Sequence, residues 1–155
     1  MIMRSCCKQV RDFVDFGKAL HSRIHALYDA INENVDQERV KMLLDYLSRH
    51  EQHLAQTLAR YEKETHSGLL DAWLEYSPDL DVDAVMADCM LAERPSTDEI
   101  FSAALAFDDT LVRLYREITA KANDPRVRSL FQDLLQLEEQ EKIQVARAAM
   151  SLQDM

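Results

Sequence analysis

Four stretches of this chain place apolar or small side chains every three and four residues over roughly five helical turns each, and nothing else in the sequence restricts the fold as strongly. The first runs through Val10, Phe13, Gly17, Leu20, Ile24, Leu27 and Ile31, and the second through Val40, Leu43, Leu47, His50, Leu54, Leu58 and Tyr61. The third follows Phe101, Ala104, Asp108, Leu111, Tyr115 and Ile118, and the fourth Val127, Phe131, Leu134, Glu138, Glu141, Val145 and Ala148. Strands carry period-two patterns and need frequent turns, yet only 2 glycines and 3 prolines occur in 155 residues. The expected class is all-α.

Turn and cap residues divide the chain. Asn32-Glu33-Asn34 ends the first helix, and Asp36 is positioned to cap the second. Between residues 65 and 95, Ser67-Gly68, Ser77-Pro78-Asp79 and Arg94-Pro95 separate two short apolar pieces, 69–76 and 82–91, expected as short helices. Ser96 with Glu99 forms a capping box for the third helix. Asn123-Asp124-Pro125 stops that helix and starts the fourth, with Asp124 as N-cap and Pro125 at the first helical position. The expectation is a single domain, 1–155, of two antiparallel hairpins, 9–64 and 96–151, joined by a long crossover, which is a four-helix bundle with one crossover connection.

The halves also resemble each other. An offset of 87 puts Leu27 on Leu114, Tyr28 on Tyr115, Ile31 on Ile118 and His21 on Asp108. For the second and fourth helices an offset of 88 aligns Asp45 with Asp133, Glu51 with Glu139 and Gln56 with Gln144, which reads as an internal duplication.

Each apolar stripe is broken by an ionisable residue: His21, His50, Asp108 and Glu141. His53 and Glu138 lie three residues from His50 and Glu141, near enough on a helix surface to point at the same object. Counting outward from the two hairpin turns puts all six at one level, three histidines on the first hairpin facing three carboxylates on the second. Buried without partners, such groups cost several kcal/mol each. A metal ion is one compensator, since imidazole and carboxylate together suit iron, manganese or zinc. Ion pairing between three imidazoliums and three carboxylates is the other.

With these residues in place the chain resembles the ferritin-like superfamily, nearest its rubrerythrin-like branch. In that family the first and third helices each give one Glu, and the second and fourth a Glu-x-x-His pair, to a dinuclear iron site. A tyrosine seven residues beyond the ligand of the first and third helices is matched by Tyr28 and Tyr115. Carried over by position, the resemblance implies metal ligation by His21, His50, His53, Asp108, Glu138 and Glu141. It also implies iron as the metal, with manganese and zinc as alternatives, and an oxidoreductase of the rubrerythrin kind if the chain is an enzyme. The first two helices have His where the family has Glu, the third has Asp, and the fourth has Glu for His. No Cys-x-x-Cys pair of the rubredoxin type is present.

Other residues read as structural. His50-Glu51-Gln52-His53 is one residue short of the zinc-protease motif, and Glu51 is expected about 100° away from His50 on the helix, which argues against peptidase chemistry. His25 is expected on a solvated face and His66 at the end of the second helix, where its cation complements the dipole. Trp73 is expected to pack a short helix over the bundle, and Glu139 to be solvated. Three cysteines, Cys6, Cys7 and Cys89, read as reduced thiols.

A net charge of −10 disfavours nucleic acid and anionic membrane as partners. No apolar run approaches a membrane span, and no signal-like segment follows Met1, so a cytoplasmic location is expected. The expected state is a homo-dimer or larger homo-oligomer, with the acidic surface available to a protein partner.

Overall fold

The four apolar stripes become the four long helices of a computed structural model that describes residues 7–153 apart from 77 and 90. In chain order the elements are β1 (Lys8–Gln9), α1 (Val10–Asn32), α2 (Glu38–Glu64), α3 (Ser67–Leu70), β2 (Trp73–Leu74), α4 (Val82–Ala87), α5 (Thr97–Lys121) and α6 (Pro125–Gln153). Among the described residues the structure is all-α apart from the short ribbon of β1 and β2.

Side-chain links between α1 and α2 descend one helix as they climb the other: Lys41 to Asn32, Asn32 to Asp45, His25 to Ser48, His21 to Glu51 and Lys18 to Glu62. That ordering makes the pair antiparallel. Arg116 to Glu139 and Lys142 to Asp109 do the same for α5 and α6. Apolar faces of all four long helices contribute to one buried cluster, in which Phe13, Leu20, Ile24, Tyr28, Leu44, Leu58, Ile100, Leu111, Tyr115, Phe131 and Leu134 lose essentially all contact with water.

The expected start signals are present for two of the long helices. Ser96 Oγ accepts from Glu99 N at 3.2 Å while Ser96 N donates to Glu99 Oε1, the reciprocal capping box. Asp124 Oδ1 accepts from Arg126 N at 2.9 Å ahead of Pro125. Asp36 does not cap α2; the N-cap is Gln37, with no side-chain cap bond, so the helix starts later than the acidic residue suggested.

The crossover departs further from expectation. Only two residues of the first apolar piece, Leu69 and Leu70, are helical, closing the four-residue α3. Trp73 and Leu74 instead pair with Gln9 and Lys8 in an antiparallel ribbon, and Val10 N donates to Ala72 O at 2.9 Å. Trp73 is 65% exposed and covers no part of the core. His66 lies beyond α2 and caps α3, its Nδ1 accepting from Gly68 N at 3.0 Å, so here it acts as an acceptor and not as a cation on a helix dipole. Cys7 is disulfide-bonded, against the expectation of a reduced thiol, whereas Cys89 is free. Cys6 lies outside the described residues.

Burial repeats along the chain with a single period. Phe13 and Ile100, Leu20 and Phe107, Ile24 and Leu111, Tyr28 and Tyr115, Leu44 and Phe131, Leu47 and Leu134 are all buried pairs 87 residues apart. The same offset joins Val40 to Val127 and Leu58 to Val145 on α2 and α6. An offset of 88 fails there, because it pairs buried Leu47 with half-buried Leu135 and buried Glu51 with Glu139.

Candidate functional site

One histidine and four acidic side chains are buried on the four long helices among the described residues: His21 on α1, Glu51 on α2, Asp108 on α5, and Glu138 and Glu141 on α6. His21 is the hinge of this layer. Its Nδ1 lies 2.5 Å from Glu51 Oε2 and its Nε2 2.7 Å from Glu138 Oε1, so one imidazole links three helices. Burial alone would lower its pKa, but the charges of Glu138 and Glu51 outweigh that and hold it well above the usual histidine range.

Asp108 sits within electrostatic reach of Glu51, Glu138, His21 and Glu141. Burial, with the like charges of Glu51 and Glu138, pushes its carboxyl up to about 9. Glu141 is also raised, first by burial, and His50 opposes the shift. His50 is a quarter exposed; its Nδ1 is 2.6 Å from Glu141 Oε1, at ion-pair distance but without hydrogen-bond geometry. Two phenols flank the layer. Burial raises both Tyr28 and Tyr115 well above the ordinary tyrosine value, and charge from Glu51 on the first and Glu138 on the second adds to it.

Several buried atoms of this layer lack partners: Asp108 Oδ2, Glu138 Oε2, and the hydroxyls of Tyr28 and Tyr115, while Glu141 Oε1 has only its ion pair with His50. Orphaned buried oxygens are rare and each needs an explanation, such as a proton, a water or an ion.

Four of the six residues expected from sequence, His21, Asp108, Glu138 and Glu141, therefore meet in the buried layer, and His50 stands at its margin. His53 does not join them. It is exposed, and with Tyr46, Arg49 and His50 it lines an outer groove of α2. The inward position belongs to Glu51, 6% exposed, which correction also overturns the segregation of all carboxylates on the second hairpin. The signal that would have found Glu51 was the offset of 87, which pairs it with Glu138. Beyond the layer, His25 is half-buried, with Nδ1 2.9 Å from Ser48 O and 2.7 Å from Ser48 Oγ, while Ser48 Oγ donates to Asp29; this is a tie between α1 and α2. Glu139 is partly exposed and pairs with Arg116 at 3.1 Å.

Among the described residues no three His, Cys, Asp or Glu side chains stand ready to hold a metal ion. His21 has both of its ring nitrogens occupied by carboxylates. A cation at His21 would have to replace one of those hydrogen bonds. The donor types suit a transition-metal cation, but among the described residues they are not arranged to hold one.

A cavity of about 670 Å³ between α4 and α5 is lined by Cys89, Phe107 and Arg113 among others, and by none of the buried ionisable residues. Among the described residues, no helix is long and apolar enough to cross a membrane. No family model, curated protein or solved structure matches the chain.

Proposed function

We propose that this chain is a ferritin-like four-helix bundle of the rubrerythrin-like kind whose buried layer binds a transition-metal ion, iron ahead of manganese and zinc, in a redox or metal-handling role. The observation that carries the reading is the excess of buried carboxylate. Four acidic side chains face two imidazoles, and two of those acids, Asp108 and Glu138, have a buried oxygen with no partner. Protons or a cation must make up the difference, and a divalent ion does so while also using the orphaned oxygens.

In this reading His21, Asp108, Glu138 and Glu141 hold the ion, with His50 beside Glu141 at the outer margin. Bound there, the metal supplies Lewis acidity and, for iron or manganese, a change of oxidation state. The chain itself supplies negative charge, excludes water with a closed apolar surround, and fixes the ring of His21 between two carboxylates. A cytoplasmic location and homo-oligomeric assembly belong to the same reading.

A second reading has its own observation. His21 engages a carboxylate from each ring nitrogen, which is the bonding of an imidazolium. On that basis the layer is a metal-free ionic network, and the protein is a non-catalytic helical module whose acidic surface binds another protein. Metal content separates the two. Protein purified without a histidine tag or chelator, then equilibrated in turn with Fe(II), Mn(II) and Zn(II), retains metal after gel filtration and melts at a higher temperature when loaded if the first reading holds. Absence of retained metal with all three, and a melting temperature indifferent to chelator, leaves the ionic network.

A further inference from the structure

The second half of the bundle leaves a space where the first half has bulk. At the spacing of 87, Phe16 on α1 corresponds to Ala103 on α5. Phe16 is buried, whereas Ala103 is half-buried and lines the cavity of about 670 Å³. Ala106 and the buried Phe107 continue this floor along α5. The roof is Val85 with Cys89 and Leu91, all only half-buried, and α4 has no buried side chain. Its ion pair runs the other way, from Asp83 to Arg23 of α1 at 2.7 Å. The volume lies within the range of roughly 300–1,000 Å³ usual for small-molecule sites, and the half-covered apolar walls gain burial from an occupant. The rim is acidic. Asp88 and Asp98 border the cavity and have no ion-pair partner among the described residues, and Glu99, which holds the cap of α5 through Oε1, adds a third carboxylate. Arg113 lines the far end, about 20 Å from Asp98 along the axis of α5.

We infer that this cavity binds an elongated organic monocation, an alkyl ammonium whose charged end sits at the acidic rim and whose apolar chain lies over Ala103, Ala106 and Phe107 toward Arg113. Three carboxylates against one guanidinium make the lining net negative, and the field of a chain of net charge −10 draws a cation to it. Arg113 sets the selectivity. A second ammonium at the far end of the chain would meet the guanidinium, so a diamine of the same length is repelled. A carboxylate of that length finds the one guanidinium but also three like charges. The cavity shares no residue with the buried ionisable layer, so this inference stands independently of the metal-binding reading.

Decylamine, decanoate and 1,10-diaminodecane share a chain length and differ only in their ends, which makes them the probes. Each is titrated into the full chain by calorimetry at neutral pH, below its aggregation concentration. In parallel, alkylation of the free Cys89 by iodoacetamide is followed on its own peptide by mass spectrometry. Decylamine is expected to bind once per chain and to slow Cys89 alkylation in proportion to occupancy, with decanoate and the diamine weaker by roughly 10-fold or more. Ala103→Phe, which gives α5 the side chain that α1 has at Phe16, should abolish both signals. Asp98→Asn should weaken decylamine by up to roughly 5-fold, and Arg113→Gln should strengthen the diamine by a similar factor. No binding of decylamine, decanoate or diamine binding as tightly as decylamine, or Cys89 alkylation unchanged at saturation would each overturn the inference. So would undiminished binding in a folded Ala103→Phe protein. Should that variant fail to fold by circular dichroism, Ala106→Leu, at an exposed position on the same floor, takes its place with the same expected loss.

Discussion

Residues 13–58 and 100–145 agree, at a spacing of 87, about which positions to bury and disagree about the chemistry buried there. The apolar pairs are interchangeable in kind, as in Ile24 and Leu111 or Leu47 and Leu134. Of the positions with an ionisable side chain only Glu51 and Glu138 match: a base stands opposite an acid at His21 and Asp108, and a leucine opposite an acid at Leu54 and Glu141. Packing constrains a buried apolar position through volume and shape alone, so equivalent positions stay alike. A buried charge is tolerated only with its partners, so a change at one member of the layer reshapes the rest.

The largest expected effect tests the base and acid pair. In chelator, His21 and Asp108 both have folded pKa values above their unfolded ones, so the folded state holds the extra proton. Stability from each is fully present below its unfolded pKa and is lost as pH rises through the folded value. The window for Asp108 opens near pH 4 and closes near 9; that for His21 opens only above about 6.5. Each contributes a loss of up to about 1.4 kcal/mol per pH unit within its window. Urea unfolding from pH 5 to 9 should therefore show falling stability, with Asp108→Asn flattening the whole range and His21→Gln only the upper part. Identical profiles for the two variants would contradict the assignment.

Next in size is the apolar frame. Leu44 and Phe131 occupy equivalent, fully buried positions. Truncation to alanine should cost about 3 kcal/mol at the first and about 4 at the second, through lost burial and the cavity left behind. Chemical denaturation measures both, and a cost below about 1 kcal/mol at either position would show that the frame is not packed as described.

Gly17 and Ala104 sharpen the comparison further, because equivalent positions should respond in different ways. A Cβ at Gly17 would collide with the Tyr115 hydroxyl and come within 3.1 Å of Leu58 Cδ1. Gly17→Ala should destabilise by about 2 kcal/mol despite alanine's better helix propensity, and Tyr115→Phe should restore most of it in the double variant. Ala104→Gly should cost about 1 kcal/mol from propensity. Tyr115→Phe or Tyr28→Phe alone removes an unpartnered buried hydroxyl and should raise stability slightly, by about 1 kcal/mol, in thermal melts of the metal-free protein.

The long helices were legible because each apolar stripe persists for roughly five turns and because Ser96 with Glu99 and Asp124 with Pro125 announce two of the starts. The crossover was harder. Trp73 and Leu74 gain their strand conformation from Lys8 and Gln9, more than sixty residues away, and no local signal in either segment names the other. The site divided in the same way. His21, Asp108, Glu138 and Glu141 stood out as charges on apolar stripes, whereas Glu51 sat beside His50 in a polar run, and one helix holds both within 100° of each other. Choosing between them required the depth of α2, which the packing of Leu47, Leu54 and Leu58 against the other helices decides.

The ribbon of β1 with β2 gives the molecule a mechanical asymmetry. Tension applied at Lys8 reaches Trp73 and Leu74 through the ladder, Asp71 through Arg11 and Gln9, and Ala72 through Val10 before it can peel α1 from α2. The first hairpin is thus latched across its open end by its own exit strand. A pulling experiment should register that latch as a separate early rupture.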